Sequence, residues 1–472
     1  MNNLVKALAD GIQDAGVRHY ANYPGFHSNE LHEALGGGVT STDEKNAFAF
    51  AWGCSMAGLR AAVSFKNVGL NDAADAFLGA HFVGCRAGLV LFLFDDCDIQ
   101  HSQSRIDIRH YHGIYGGLWL EPRSVTEAYL LARTAFGLSE RFGLPVVIRV
   151  TNILFDQGLR PSSWRRTSET PPVFPRLTRR SDSSPFVVHP SEAWRMERDL
   201  AAKNARIAEY VDTLYDDAPD APDAVVFGAK RGVAARAPLR LFTLPLPGQV
   251  LRRHFKAAEL SALKVYEHGP TPYVAREVVR LVTGTECAAV NMAQFAAVRP
   301  KYHNHNFMER LFAAIRAVEG GVVCGDLGGF TMDPSRTIEL CLCYGVAPAV
   351  ATGYAAADPG ARVFCVTGDA AYLHSGQQCI YEMVARGVSC TVFVLENGGA
   401  LGTGGQPIPG NLCARPEKVN FCEVDYGRLS AADLVRFVAD LPASGINLVV
   451  VHTREDSQSV AVPREHCKGK RS

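Results

Sequence analysis

The sequence has no uninterrupted apolar run of about 18 or more residues, so no membrane-spanning helix is expected. It has no long run of one charge either. Lys plus Arg and Asp plus Glu both number 48, for a formal net charge of zero. That balance gives no argument for a nucleic-acid or membrane-surface partner. Among the 13 cysteines there is no C-x-x-C pair. Their odd count and scatter argue against a disulfide framework, and no spacing supports a structural zinc or an iron–sulfur cluster. Cys365 and Cys390 sit in apolar runs and read as small buried hydrophobes. The N-terminal stretch, MNNLVKALADGIQDAGV, reads as an amphipathic helix with acidic residues and lacks a signal-peptide core. A cytoplasmic protein is therefore the expectation.

What is present is an ordinary globular composition, 47% hydrophobic and 20% charged over 472 residues. That length suits about three domains with large cores.

The chain is organised around residues 368 to 405, GDAAYLHSGQQCIYEMVARGVSCTVFVLENGGALGTGG. The apolar run from Arg362 to Thr367 reads as a buried strand. A helix follows from about Gly376 to Arg386, ended by Gly387. A second buried strand, Ser389 to Leu395, leads into Glu396-Asn397-Gly398-Gly399. Such a β-α-β unit places Asp369 and Asn397 at the C-terminal ends of two strands, expected to lie side by side. That edge of a parallel sheet is where ligands bind. A carboxylate and an amide carbonyl together suit Mg²⁺, which takes hard oxygen ligands. The plainer alternative is an ordinary solvated turn.

Upstream, Tyr23-Pro24-Gly25-Phe26-His27 marks a tight turn after a short strand, with Ser28 placed to cap the next helix. Glu44 opens a helix rich in small residues, where the helix dipole alone would favour an acid. Strands alternate with helices up to Val150, which gives a doubly wound parallel sheet. The domains expected are 1–158, a linker or long excursion at 159–187, a small middle α/β domain at 188–295, a C-terminal domain at 296–460, and a polar tail at 461–472.

The residues from Gly368 to Asn397 resemble the thiamine-diphosphate (ThDP) fingerprint, a Gly-Asp pair followed by 27 residues and Asn. The resemblance implies that Asp369, Asn397 and the Gly399 carbonyl hold Mg²⁺, which holds the diphosphate. The wider order of blocks is similar to the α subunit of indolepyruvate ferredoxin oxidoreductase. Those blocks are Tyr23-Pro24-Gly25, Glu44-Lys45, Lys66 with Val68-Gly69-Leu70-Asn71, and His101-Ser102-Gln103. They continue with Leu244-Pro245-Leu246-Pro247, Tyr266-Glu267, Gly325-Asp326 with Gly329, Gly368-Asp369, His374-Ser375-Gly376, Asn397, and Thr403-Gly404-Gly405-Gln406-Pro407.

That family implies an α/β fold, with doubly wound pyrimidine- and diphosphate-binding domains around a reduced middle domain. It implies at least a homodimer, with Glu44 of one subunit facing Asp369 of the other. Glu44 falls on the family's activating glutamate, which promotes the imino tautomer of the pyrimidine and so the C2 ylide. The other positions carried over as cofactor-binding are Pro24, Gly25, Asn71, Gly328, Gly329, Tyr344, Gly368, Ala370 and Thr403. Tyr344 falls where a bulky residue supports the cofactor, although a core aromatic is an equal reading. His101, His374 and His27 are candidates for proton handling or for binding the substrate carboxylate, against a structural role for each. Lys66 suits pairing with a carboxylate or plain solvation.

The departures bear on the reaction. The family's cysteine-rich ferredoxin motifs are missing, and Arg299-Pro300 is followed by Lys301-Tyr302-His303-Asn304-His305 where the family has a Cys pair. The reading is a ThDP- and Mg²⁺-dependent lyase that decarboxylates an aryl 2-oxo acid, such as phenylpyruvate or indolepyruvate. Its enamine is protonated to an aldehyde. Two alternatives stay open: a carboligase making an acyloin from the same enamine, and an oxidoreductase subunit that needs a separate iron–sulfur partner.

Overall fold

The structure, a computed structural model, describes residues 1–97, 106–177, 186–189, 192–284, 308–400, 406–408 and 416–453. The chain divides into two compact units. One holds Met1–Pro175 with Ser191–Pro300, and the other Arg176–Pro190 with Lys301–Ser472.

The first unit contains β1 (His19–Asn22), β2 (Ala61–Lys66), β3 (Leu89–Asp95), β4 (Leu118–Leu120) and β5 (Val146–Thr151), followed by β6 (Ala224–Phe227), β7 (Pro238–Leu241), β8 (Thr243–Leu244) and β9 (Lys264–Tyr266). Its main sheet runs β1-β2-β3-β5-β4-β8. All pairs are parallel except β4 with β8. The central strand β3, LVLFLFD, is buried along its whole length, as a strand covered on both faces should be. A second, parallel sheet runs β7-β6-β9. The segment expected as a small middle domain thus forms its own sheet and also contributes β8 to the main one.

The helix Glu44–Met56 opens with Asp43, whose carboxylate accepts from the Asn46 N–H at 2.7 Å. Its side chains from Lys45 to Met56 are all buried, the mark of a helix surrounded by protein. Ser28, expected as a cap, instead begins the helix Ser28–Ala34. His27 takes the cap position at a left-handed φ of 55°. The Ser28 hydroxyl is drawn inward, donating to the Tyr23 carbonyl at 3.0 Å and accepting from Asn22 at 2.6 Å. The stretch 160–175 forms no regular element and is largely exposed, but it is tethered to the first helix. Arg166 pairs with Asp10 and Asp14, and the Glu169 N–H donates to the Asp14 carbonyl at 2.6 Å.

The second unit contains β10 (Gly321–Gly325), β11 (Arg362–Gly368) and β12 (Cys390–Glu396), a short antiparallel pair β13 (Gly399–Ala400) and β14 (Gln406–Pro407), then β15 (Val419–Asp425) and β16 (Ile446–His452). The sheet runs β10-β11-β12-β16-β15, parallel throughout. Phe312, Phe364, Phe393 and Val449 lie in the core on one of its faces. The helix Gln377–Arg386 ends at Gly387 in a left-handed conformation (φ 65°), the cap that glycine permits without strain.

Candidate active site

In the second unit, β11 and β12 are neighbours, with Gly368 opposite Leu395. Their ends therefore release Asp369 and Asn397 at the same sheet edge. The Asp369 carboxylate accepts from the N–H groups of Asn397 at 3.0 Å and Gly398 at 2.8 Å through Oδ2. Through Oδ1 it accepts from the Ala370 N–H at 2.8 Å. The Asn397 side-chain oxygen accepts from the Gly399 N–H at 3.0 Å. Burial of Asp369 pushes its carboxyl up, and these backbone donors pull it back toward the ionised form. The Asp369 carboxylate, the Asn397 amide oxygen and the Gly399 carbonyl are hard oxygen donors carried by residues at one sheet edge. That chemistry fits a divalent cation that retains other oxygen ligands.

A second group lies in the same unit. Just past Ala371, a single π-helical turn, Tyr372–Gly376, carries His374. Such turns often mark functional sites. His374 Nδ1 lies 2.9 Å from the Ser375 hydroxyl, which donates to the Gly345 carbonyl at 3.0 Å. The Tyr344 ring meets the His374 ring edge-on, with centroids 5.3 Å apart. Gly345 has no room for a side chain: a Cβ there would lie 2.3 Å from Ser375 Oγ. Gly328 is fully extended (φ 175°), and a Cβ there would stand 2.6 Å from the Phe330 ring. Gly329 then begins a short 3-10 turn. At Gly368, by contrast, the nearest atom to an added Cβ is 3.7 Å away.

Asp326, absent from the candidate residues above, ties these pieces together. It is fully buried. One carboxylate oxygen accepts from the Ala347 N–H at 2.9 Å, at the start of the helix Ala347–Ala357, and the other accepts from the Thr367 hydroxyl. Burial pushes its carboxyl up to about 6 against these hydrogen bonds. The readable signal was its motif: Gly325-Asp326 ends β10 as Gly368-Asp369 ends β11.

In the first unit, Glu44 is the first residue of its helix and is half-buried. Burial, with the negative charges of Asp72 and Asp43 adding to it, pushes its carboxyl up to about 7. Its side chain lies directly over Gly69, where a Cβ would be 2.4 Å from Glu44 Cγ and Oε1. The turn Pro24-Gly25 runs against the end of β2, where a Cβ on Gly25 would be 2.8 Å from that of Lys66. Asn71, in the first turn of the helix Leu70–Val83, accepts from the Tyr111 hydroxyl at 2.5 Å. The blocks that contain Gly25, Lys66, Gly69 and Glu44 therefore meet in space.

His27 has a different setting. Its ring stacks on Phe155 with centroids 3.2 Å apart, and its Nδ1 lies 2.9 Å from Glu30 Oε1. His101 and Thr403 lie outside the described residues.

The first unit also holds two buried arginines that sequence reasoning did not single out. Arg109 clasps Asp107 at 2.8 and 2.7 Å and reaches Glu267 at 2.6 Å. Arg149 reaches Asp95 at 2.6 Å and also bonds Glu121. Only Glu267 had a signal, as part of the Tyr266-Glu267 block.

Comparison with known proteins finds matches in sequence and in fold. Residues 326–462 match the family described as thiamine pyrophosphate enzyme, C-terminal TPP binding domain. The whole chain is similar to indolepyruvate oxidoreductase subunit IorA of Archaeoglobus fulgidus, at 25% identity over 551 residues, covering 98% of this chain and 85% of that one. IorA of Methanothermobacter marburgensis is 26% identical over 467 residues, with 84% and 75% covered. A Rhodococcus jostii thiamine diphosphate-dependent 4-hydroxybenzoylformate decarboxylase has the same fold. Its TM-score is 0.53 at 14% identity, covering 95% of this chain and 98% of that one.

Proposed function

We propose, for a thiamine-diphosphate-dependent enzyme similar along most of its length to IorA subunits, that the reaction is non-oxidative decarboxylation of an aryl 2-oxo acid. Phenylpyruvate and indolepyruvate are the proposed substrates, and CO₂ and an aldehyde the products. The cofactor reading is carried by the Asp369 carboxylate, bonded to the N–H groups of Asn397 and Gly398 at the sheet edge. When bound, ThDP supplies a carbon nucleophile for the 2-oxo carbon and a sink for the electron pair released with CO₂.

The proposed roles of this chain's residues follow from their settings. Asp369, Asn397 and the Gly399 carbonyl hold Mg²⁺ for the diphosphate. Gly328 and Gly329 leave the backbone open to approach. Tyr344 supports the cofactor, and His374 holds a proton or the substrate carboxylate beside it. Glu44 holds a proton at its raised carboxyl, close to working pH, where proton exchange is most efficient.

The cysteines support the non-oxidative outcome. No two have C-x-x-C spacing, and of the ten described, all but Cys422 are buried. In this reading the electron pair released with CO₂ takes up a proton and an aldehyde leaves. A second reading is favoured by the relatives' names. As an oxidoreductase subunit, the chain would pass those electrons to an iron–sulfur partner. Carboligation to an acyloin is the remaining alternative. The proposed active form is at least a homodimer.

The test is to incubate the protein with ThDP, Mg²⁺ and phenylpyruvate without an electron acceptor, and to follow CO₂ and the organic product. Phenylacetaldehyde is the expected product. An acyloin would replace the reading with carboligation. CO₂ released only after a viologen dye and CoA are added would replace it with the oxidoreductase.

A further inference from the structure

Glu44 rests on the turn Asn67–Gly69, which follows β2 directly. What fixes that turn is a buried chain of polar contacts. Asn67 Nδ2 donates to Asp95 Oδ1 at 2.8 Å. Asp95 Oδ2 accepts from Arg149 Nε at 2.6 Å. Arg149 is held in turn by Glu121, the Cys97 sulfur at 2.8 Å and the His268 carbonyl at 3.0 Å. Asn67 and Arg149 are 2% exposed and Asp95 is 0% exposed.

The orientation of Asn67 is set by chemistry. A carboxylate only accepts, so the amide NH₂ must face Asp95 and the amide oxygen must face away. That oxygen is buried without a partner. An unsatisfied buried acceptor costs about 1–3 kcal/mol, so stability alone is a poor reason to have Asn here. What Asn67 does provide is a rigid link between Asp95 and the turn that carries Gly69.

We infer that Asn67, braced by Asp95 and Arg149, is the positioning residue for the Glu44 carboxyl. It fixes Gly69 under the side chain and keeps water from that side. The inference rests on the proposed role of Glu44, but the seat and the role can be tested apart. The other charges facing Glu44 are Asp43 on its own helix start and Asp72 on the following helix.

The first measurement is an infrared titration of the full-length protein without cofactor, reading the carboxyl band that is lost in Glu44→Gln. In Asn67→Ala the midpoint is expected about one pH unit lower than in wild type, as water reaches the carboxyl. Arg149→Lys, which keeps a cation beside Asp95, is expected between the two. An unchanged midpoint in Asn67→Ala would overturn the inference. The second measurement is turnover of the full chain with ThDP, Mg²⁺ and substrate. Asn67→Ala is expected to lower kcat at least tenfold and to move the pH limb of kcat the same way, with ThDP affinity within about threefold. Loss of kcat with the limb in place would mean a merely structural role. If the infrared midpoint moves but Glu44→Gln retains full turnover, the seat stands and the proposed role of Glu44 falls.

Discussion

Asp369 and Asn397, 28 residues apart, are joined by a 3.0 Å hydrogen bond from the backbone N–H of one to the carboxylate of the other. The contact exists because β11 and β12 are parallel neighbours that end together. It turns a sequence spacing into a contact in space at one edge of the sheet.

Glu44→Gln should keep the shape of the side chain and remove its proton exchange. We expect kcat to fall by about 10² to 10⁴-fold, with ThDP affinity changed only a few-fold. Steady-state kinetics beside calorimetric ThDP binding checks this. Loss of binding equal to the loss of rate would make Glu44 a binding residue.

Gly69→Ala separates activity from stability. The backbone at residue 69 has φ −66°, which alanine adopts freely. The three atoms nearest an added Cβ, at 2.4 to 2.7 Å, all belong to the Glu44 side chain, so the substitution displaces that side chain and leaves the turn's backbone conformation open to alanine. Thermal unfolding should move by a few degrees at most. Turnover should fall by on the order of 10²-fold, as for other small misplacements of a reacting group.

Asp326 makes a pH prediction. Its carboxyl is raised in the folded chain to about 6, by burial. Between the ordinary Asp range and about 6 the folded state therefore binds more protons than the unfolded state. Stability from this group is full at low pH and is lost as pH rises through about 6. Over pH 4 to 7, wild type should lose on the order of 2–3 kcal/mol relative to Asp326→Asn. Urea unfolding of both proteins across that range gives the difference. A constant gap would contradict it.

Arg109 lies between two acids, 2.7 Å from Asp107 and 2.6 Å from Glu267. Arg109→Met leaves Asp107 buried and uncompensated. Removing one partner of a buried pair typically costs about 3–5 kcal/mol. We expect a loss of that order by urea unfolding. A loss under 1 kcal/mol would mean that the acids protonate without penalty.

The elements that build the site were readable in the sequence because each is locally consistent. The run expected as a strand at 362–367 is β11, Arg362–Gly368, and the helix expected to end at Gly387 does so. Glu44 opens its helix as expected, since Asp43 is a strong cap and the residues beyond it suit burial. Asn67 was not readable as an organising residue, and for Asp326 the Gly325-Asp326 motif marked the position but not its role. Their importance comes from partners 41 and 28 residues away, Thr367 and Asp95, which no local pattern encodes. The stretch at 159–187 looked like a linker because it has no period. Its residues 160–175 are held instead by side chains such as Arg166, paired with Asp10 and Asp14. Periodicity does not report contacts of that kind.

The most direct test of the account is calorimetric titration of ThDP into wild type and Asp369→Ala, each with and without Mg²⁺. The account predicts tight binding by wild type that requires Mg²⁺, and a loss of at least about 30-fold in Asp369→Ala, equivalent to roughly 2 kcal/mol. Equal ThDP affinity in the two proteins, or affinity indifferent to Mg²⁺, would contradict the assignment of the Asp369 and Asn397 edge as the diphosphate site.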